Sequence, residues 1–516
     1  MDTIEYFTLL FGGQFMILNV FLLILTFFFI SSVLKNNYIR IVFSVLAAII
    51  IDLQITSLYY TQTFINYQFY IHSNTRDILG MINLYYSEIG LLFIFLILFI
   101  SLFYFSNKLA QATTAYLCRF SFFNKNKYKN ITLKSTKILI VGSCIMVMNF
   151  DKGVINEALD FYYILQSSTN SNRKGFDSAL DQLKMEDYIS SENIEATKGK
   201  NIIIISLESF EKGYLSEKFA DLTPNLRSLK EKWTYNTIKP NEGSSWTSGS
   251  LYTCLTGFPA FFGVDGNAIF QTAHHSEISS IGNVFEKAGY KTTFLIENAR
   301  FSGTQEMLHT FKIDNIIDKE LLGGKARDKD LFDRAKLEIQ SNVSNKNPFV
   351  IFISTVDTHF PDGILDERMK AFVSPKKSDL EFMVSAVDYL VGDFVHFLDK
   401  QNLLSNTVVY IFPDHLKMGD PSLFDGTGER GLYLISNAPE KDISVKDRDN
   451  LYQIDLAKMI LKGALIQNNE KFMTDYLPKK KDLFIQKNVN LLTSVNSSGL
   501  MRFYSNKIRD TKDDED

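Results

Sequence analysis

The run "NIIIIS", Asn201–Ser206, places four isoleucines side by side with no polar residue among them. An apolar run of branched residues this short fits a strand buried on both faces of a parallel sheet. Three other runs are built the same way: "KTTFLI" (Lys291–Ile296), "PFVIFIS" (Pro348–Ser354) and "TVVYIF" (Thr407–Phe412). Helical patterns separate them at Thr223–Lys232, Ser280–Gly289, Lys329–Ser341 and Ser378–Lys400. Strands alternating with helices predict the α/β class, an α/β/α sandwich around a parallel sheet across residues 201–487.

The chain before this region has a different character. Phe7–Leu34 is apolar and uncharged, longer than the roughly 20 residues that span a bilayer. Ile41–Tyr60, Ile89–Phe105 and Ile138–Phe150 are three further expected spans, the last of them short. The first run follows "MDTIEY", without a basic segment, and is expected to remain as a span rather than be cleaved as a signal peptide. Residues 1–150 therefore read as a four-helix transmembrane domain. Lys35 and Arg40 lie between the first two spans. Lys108, Arg119, Lys125, Lys127, Lys129, Lys134 and Lys137, with no acid among them, lie between the third and fourth. Basic loops stay cytoplasmic, so the N-terminus and everything after Phe150 are expected outside. Asp52 falls inside the second span, where a charge can mark a functional path, or can sit near the outer interface in water.

Residues 151–200 read as a polar juxtamembrane connector. Its segment "DKGVINEALDFYYILQ" could lie along the membrane surface. Residues 488–516 read as a polar tail ending in the acidic "DTKDDED", which is expected to be disordered. Net charge is −4, which implies no general affinity for nucleic acid. Of the three cysteines, Cys118, Cys144 and Cys254, only Cys254 lies in the soluble half, so no disulfide framework is expected there.

In open parallel sheets, ligands gather at the carboxyl ends of the strands. Glu208 follows the first run, Asp357 and His359 follow the third in "TVDTHFPDG", and Asp414 and His415 follow the fourth in "PDHLKMGD". Any one of these alone reads as a solvated loop residue or a helix cap. As a set, carboxylates and imidazole at one rim suit a divalent cation of hard or borderline character. The stretch "NEGSSWTSGSLYTCLTGFP", Asn241–Pro259, supplies a hydroxyl-rich turn followed by helical periodicity. A helix N-terminus favours phosphate, and metal coordination makes a threonine hydroxyl such as that of Thr247 a competent nucleophile. The competing reading is that Ser244, Ser245 or Thr247 simply caps the helix.

Together, "NIIIISLES", "LTPNLRSL", "GSSWTSGS", "NARFSG", "TVDTHFPDG" and "PDHLKM" resemble the alkaline phosphatase and sulfatase superfamily. Within it they resemble the membrane-anchored phosphoglycerol transferases, and most of all the group that modifies osmoregulated periplasmic glucans. The resemblance spans Asn201–Pro439 and implies a sulfatase-like catalytic domain. It implies Thr247 as the nucleophile that becomes covalently loaded, and Glu208, Asp414 and His415, with Thr247, as ligands of one divalent metal ion (Mn, Mg or Zn). It implies that His359 contacts the phosphate or protonates a departing oxygen. Arg300, Trp246 and Asp357 are the expected substrate-binding residues. Pro413 precedes Asp414 where relatives carry a small or polar residue, so the turn at the metal is expected to differ. An accessory C-terminal domain is expected to be absent.

The implied reaction moves phosphoglycerol from phosphatidylglycerol to a glucan acceptor and releases diacylglycerol. The implied place is a bacterial inner membrane, with a multi-pass anchor and a periplasmic catalytic domain. Two other classes stay open. A phosphoethanolamine transferase acting on lipid A or another envelope glycan would share the scaffold, although several periplasmic cysteines would be expected of it. A sulfatase would need a Cys-x-Pro-x-Arg type motif, and nothing at Ser244–Gly257 fits. A non-enzymatic membrane sensor would be expected to have lost part of the Glu, Thr, His and Asp-His set.

Overall fold

The computed structural model describes residues 3–61, 63–65, 86–112, 138–150, 153–166, 173–272, 276–324, 326–360, 362–443, 445 and 450–510. Within these the chain divides into two compact units, Met1–Tyr163 and Ile164–Asp516.

In the first unit, Phe15–Val33 and Asn37–Tyr59 are helices long and apolar enough to cross a membrane. Gly90–Tyr104 and Ser106–Ala112 count as a third if the pair, bent by 57°, is taken as one span. The fourth expected span holds a shorter apolar helix, Ile138–Met148. The described residues therefore hold two or three candidate spans where the sequence predicts four. Asp52 sits within the helix Asn37–Thr61. Arg119 to Lys137 and Cys118, which carry the orientation and cysteine arguments, lie outside the described residues.

The second unit is an α/β domain. Among its described residues, seven strands form the main sheet: β1 (Asn201–Leu207), β2 (Thr234–Ile238), β3 (Lys291–Leu295), β4 (Asn315–Ile317), β5 (Phe349–Ser354), β6 (Thr407–Pro413) and β7 (Leu432–Ser436), in the order β2-β7-β6-β1-β5-β3-β4. The four apolar runs are the four central or near-central strands β1, β3, β5 and β6, paired in parallel. The sheet is mixed rather than wholly parallel, because β7 runs antiparallel to both β6 and β2. The edge strand β2, "TYNTI", is only half-buried over most of its length and lacks the continuous apolar run that marks the interior strands.

Alternation along β1 builds the layers. Ile203, Ile205 and Leu207 join a core with Leu226, Leu331, Val387, Leu390 and Phe394. Those partners come from helices α1 (Pro224–Lys232), α3 (Asp328–Ser344) and α4 (Asp379–Lys400). Ile204 and Ser206 face the other way, toward Thr247, Leu251 and Cys254 of helix α2 (Thr247–Thr256), with which they line a narrow cavity. Side chains of alternating direction thus bury both faces of the strand.

Local chemistry fixes the helices. Ser378 caps α4, its Oγ accepting from Glu381 N at 3.2 Å, and Asp379 and Glu381 favour the positive end of the dipole. Helix α1 has no cap from its own Thr223. The buried Asp388 of α4 serves instead, accepting from Asn225 N at 3.0 Å and Leu226 N at 2.8 Å. Helix α2 ends at Gly257, whose φ of 70° is the left-handed stop a Cβ would strain.

The stretch expected to be a polar tail holds a helix, α5 (Val489–Asp510). Its Leu492, Val495 and Leu500 are buried. Asn496, also fully buried, donates to Pro259 O at 2.8 Å and Phe261 O at 2.9 Å, and accepts from Tyr252 Oη at 2.7 Å. Its amide thus anchors the turn that follows α2, so polar composition here reflects buried hydrogen bonding rather than solvation. The acidic end, 511–516, lies outside the described residues.

Candidate active site

Strand register puts the site together. Leu207 pairs with Pro413 across β1 and β6, and Ser206 pairs with Ser354 across β1 and β5. The residues that follow, Glu208, Asp414 and Thr355, therefore leave the sheet side by side at its carboxyl rim. Pro413 does not break the ladder. Asp414 N still donates to Leu207 O at 3.1 Å, so the missing proline N–H is absorbed at the strand's last residue.

Glu208, Asp414 and His415 are all buried, and one ligand atom from each lies within 4.8 Å of the others. His415 Nδ1 sits 2.8 Å from Leu416 O. A carbonyl can only accept, so Nδ1 carries a proton and, in the neutral ring, Nε2 keeps the lone pair. That Nε2 lies 3.5 Å from Asp414 Oδ2, 3.6 Å from Glu208 Oε1 and 3.5 Å from Thr247 Oγ1. Burial pushes the Asp414 carboxyl up to about 7, with the Glu208 charge adding to the effect. Burial also pushes Glu208 up, but the His415 and His359 charges and a hydrogen bond from Ser209 together hold it below its ordinary value. For His415, burial works against protonation, and the Asp414 and Glu208 charges outweigh it. Two buried carboxylates, one imidazole nitrogen and a hydroxyl thus converge on one oxygen-rich pocket. This donor set fits a divalent cation.

Thr247 is the first residue of α2, preceded by Trp246 in extended conformation. Its Oγ1 donates to Glu208 Oε2 at 3.1 Å. The hydroxyl thus faces the carboxylates at the positive end of a helix. Ser244 has a different part: its Oγ accepts from Asn241 Nδ2 at 2.8 Å and lies 2.6 Å from Thr253 Oγ1, which braces the turn. Gly249 is required here, since a Cβ would lie 2.6 Å from the Trp246 ring. Trp246 is accordingly buried, at 3 % exposure, and packs into its own helix.

His359 is also oriented by its neighbour, with Nδ1 2.7 Å from Phe360 O. Its loop is pinned on two sides. Toward the centre, Glu208 N donates to Thr355 Oγ1 at 2.8 Å and Thr358 Oγ1 donates to Glu208 O at 2.6 Å. Toward α3, Val356 N and Asp357 N donate to Asp328 at 2.7 and 3.1 Å, and Asp328 N donates to Asp357 Oδ2 at 3.0 Å. Asp357, expected among the substrate-binding residues, is fully buried in this brace. Its Oδ1 has no hydrogen-bond partner and lies 3.8 Å from Arg327 Nη1. Burial and the Asp328 charge push Asp357 up to about 9, and burial pushes Asp328 up to about 7. Arg300 is an exposed residue paired with Glu320 at 2.8 Å. Its neighbour Ser302 reaches the start of α2, where Asn267 Nδ2 donates to Ser248 Oγ at 3.0 Å and also bonds Ser302 Oγ.

Gln453 has no counterpart among the sequence expectations. Its Nε2 donates to Asp414 O at 2.7 Å and to Ser250 Oγ at 3.2 Å, which ties the Asp414 loop to α2. It lies 39 residues after Asp414 in the chain, in no motif, and only the fold brings it there. Cys254 is free and buried, and its thiol is pushed up to about 12, so it takes no part as a nucleophile.

Residues 200–456 match the family model described as Sulfatase. A curated relative, phosphoglycerol transferase I of Escherichia fergusonii, is 25 % identical over 270 residues, covering 49 % of this chain and 33 % of the relative. The match thus spans about a third of the length of that relative. Among solved structures, a lipoteichoic acid synthase from Listeria monocytogenes shares 18 % identity with a TM-score of 0.46, covering 60 % of this chain and 81 % of that one. A Streptococcus pyogenes phosphoglycerol transferase in complex with sn-glycerol-1-phosphate shares 14 % with a TM-score of 0.43, covering 66 % and 97 %.

Proposed function

We propose, from the premise that residues 200–456 are a domain of the sulfatase and alkaline phosphatase superfamily, that this chain is a membrane-anchored phosphotransferase that carries phosphoglycerol from phosphatidylglycerol to a glycan. One observation carries the reading: the Thr247 hydroxyl, at a helix N-terminus, hydrogen-bonds Glu208 inside the Glu208, Asp414 and His415 cluster. The curated relatives named phosphoglycerol transferase I support the choice of group.

Glu208, Asp414, His415 and Thr247 would hold a divalent metal, Mn, Mg or Zn. Such an ion supplies positive charge that favours an ionised hydroxyl and offsets charge on phosphoryl oxygens. The chain's own residues do the rest. Thr247 Oγ1 forms the new bond to phosphorus, and its proton leaves along the hydrogen bond to Glu208 Oε2. The free N–H groups at the start of α2 hold the phosphoryl oxygens. The bond from phosphorus to the diacylglycerol oxygen breaks, and His359, as the imidazolium with its Nδ1–H held by the Phe360 carbonyl, gives that oxygen its Nε2 proton and is left neutral. An acceptor hydroxyl then attacks the phosphorus and gives its proton to His359 Nε2. The bond from phosphorus to Thr247 Oγ1 breaks, Thr247 Oγ1 takes its proton back along the hydrogen bond to Glu208, and the phosphoglycerol leaves on the acceptor. Four spans, with Ile138–Phe150 extended by its flanks, hold the domain on the outer side of a bacterial inner membrane, and the acceptor is a periplasmic glucan.

The test uses purified full-length protein, divalent metal and phosphatidylglycerol labelled in its glycerol headgroup, with and without a glucan. Label moving to the glucan with release of diacylglycerol is the expected result. Label that stays in lipid, while an ethanolamine-labelled lipid supplied in parallel donates, would replace this reading with phosphoethanolamine transfer.

A further inference from the structure

Lys417 lies two residues past His415, at 8 % exposure. An ammonium carries three N–H donors. Lys417 Nζ uses one, to Met418 O at 3.1 Å, and rests over the Phe360 ring at 5.3 Å. Among the described residues it makes no ion pair. Buried charges are ordinarily paired, so this one is out of place unless something else meets it.

The charged groups around it are Arg430, Glu211, Asp362 and Asp420. Glu211 is fully buried, and Arg430 grips both of its oxygens: Nε to Oε1 at 2.9 Å and Nη2 to Oε2 at 2.6 Å. Arg430 Nη2 also donates to Lys417 O at 2.7 Å, and Lys417 N donates to Glu211 Oε2 at 3.2 Å. Asp420, exposed, accepts from Ser422 N at 2.9 Å and Ser422 Oγ at 2.7 Å. Arg430 thus takes the buried Glu211, Asp362 and Asp420 are exposed, and among the described residues no acid forms an ion pair with the Lys417 ammonium. The Lys417 backbone is held at both its N–H and its carbonyl. Its side chain is fixed by Phe360, which packs so close to Gly419 that a Cβ there would lie 2.3 Å from the ring. Phe360 adjoins His359. The ammonium thus sits where the two loops that bring His359 and His415 to the centre meet.

We propose that Lys417 is an anion-binding residue of this centre, and that its two remaining N–H donors hold phosphoryl oxygens of the substrate. The proposal rests on the phosphotransfer reading of the Thr247 site. Arginine could replace the charge, whereas methionine keeps the length and removes it.

The experiment measures inorganic phosphate binding by calorimetry to full-length, metal-loaded protein in detergent, for wild type, Lys417→Met and Lys417→Arg, together with each protein's phosphate-free Tm. Lys417→Met is expected to weaken phosphate binding about tenfold or more, as loss of a charge-assisted hydrogen bond does. Lys417→Arg should restore most of it, and the phosphate-free Tm of Lys417→Met should stay level or rise, because no ion pair is lost. Equal phosphate affinity in wild type and Lys417→Met, absence of phosphate binding in wild type, or a Tm that collapses in Lys417→Met would each overturn the proposal. Phosphate binding that depends on Lys417 in a protein that moves no phosphatidylglycerol label would keep the anion site and remove the transfer reading. Label transfer with phosphate binding indifferent to Lys417 would do the reverse.

Discussion

Two clusters of buried acids stand at the same rim of the same sheet, and their oxygens are satisfied differently. Asp328 and Asp357 meet backbone: Val356 N, Asp357 N and Asp328 N all donate into the pair. Glu208 and Asp414 receive some such support, from Ser209 N to Asp414 Oδ1 at 2.8 Å and Ser209 Oγ to Glu208 Oε1 at 2.7 Å. Yet each of these two also turns an oxygen toward His415 Nε2, and Glu208 turns one to the Thr247 hydroxyl. Backbone donors make the first pair a brace of the loop that carries His359. The second is a candidate metal site. Burial alone does not separate the two, since all four carboxylates are buried. What separates them is whether their partners are fixed amide groups or groups that can bind an ion and react.

The largest expected effect breaks the reactive side of this contrast. Thr247→Ala should lower transfer by about a thousandfold or more, since the group that forms the covalent bond is gone, while Tm stays near wild type. Thr247→Ser should retain part of the rate. A Thr247→Ala protein with wild-type turnover would remove Thr247 from the chemistry.

Next come the ligands. Excess chelator should abolish transfer, and added divalent metal should restore it. Glu208→Ala and Asp414→Ala should lose bound metal by elemental analysis, each by about tenfold or more in affinity. Full metal content in both variants would turn this cluster into a second brace.

The brace itself should behave in the opposite way. Asp328→Ala removes the acceptors of one buried and one half-buried N–H group and should destabilise the fold by about 2–4 kcal/mol, measured by denaturant unfolding. Asp357→Asn should keep transfer within about threefold, because a carboxyl whose Oδ1 has no hydrogen-bond partner in a dry setting is already neutral. A large fall in kcat for Asp357→Asn at unchanged Tm would return Asp357 to the substrate-binding residues.

The smallest effect is a slope. Asp328 is raised to about 7 and Asp357 to about 9, and the pair titrates as a unit. In folded protein these acids hold protons that the unfolded chain releases near pH 4. The stability they add is complete below that pH and is lost as pH rises through about 7 and then about 9. Tm of the metal-loaded protein should therefore fall between pH 7 and 9, and Asp357→Asn should flatten that fall. An unchanged slope in the variant would place the titration elsewhere.

The contrast also explains what could be read from the chain alone. The parallel strands β1, β3, β5 and β6 and the helices between them were legible because unbroken branched runs and helical spacing are local signals. Glu208, His359, Asp414 and His415 were legible because each follows such a strand within a few residues, where the sheet must end. The edge strand β2 and its neighbour β7 were not, since "TYNTI" carries no apolar run and the two pair antiparallel through distant contacts. Neither was the partner of Asp357. Asp328 lies 29 residues away, and nothing in "RDKDLFDR" sets it apart from any acidic helix start. Asn496 in α5 looked like tail composition because a buried amide with three partners has the same residue type as a solvated one. Gln453 shows the same limit, since its role exists only once β6 and α2 are side by side.

The most direct test of the central claim is mass spectrometry of the peptide that contains Asn241–Pro259, after metal-loaded protein meets phosphatidylglycerol without an acceptor. Nothing then clears the loaded residue except water, so glycerophosphate should be found on Thr247 and should vanish when a glucan is added. An unmodified Thr247 under conditions in which diacylglycerol is released, or the adduct on Ser244, Ser245 or Ser248 instead, would contradict the account.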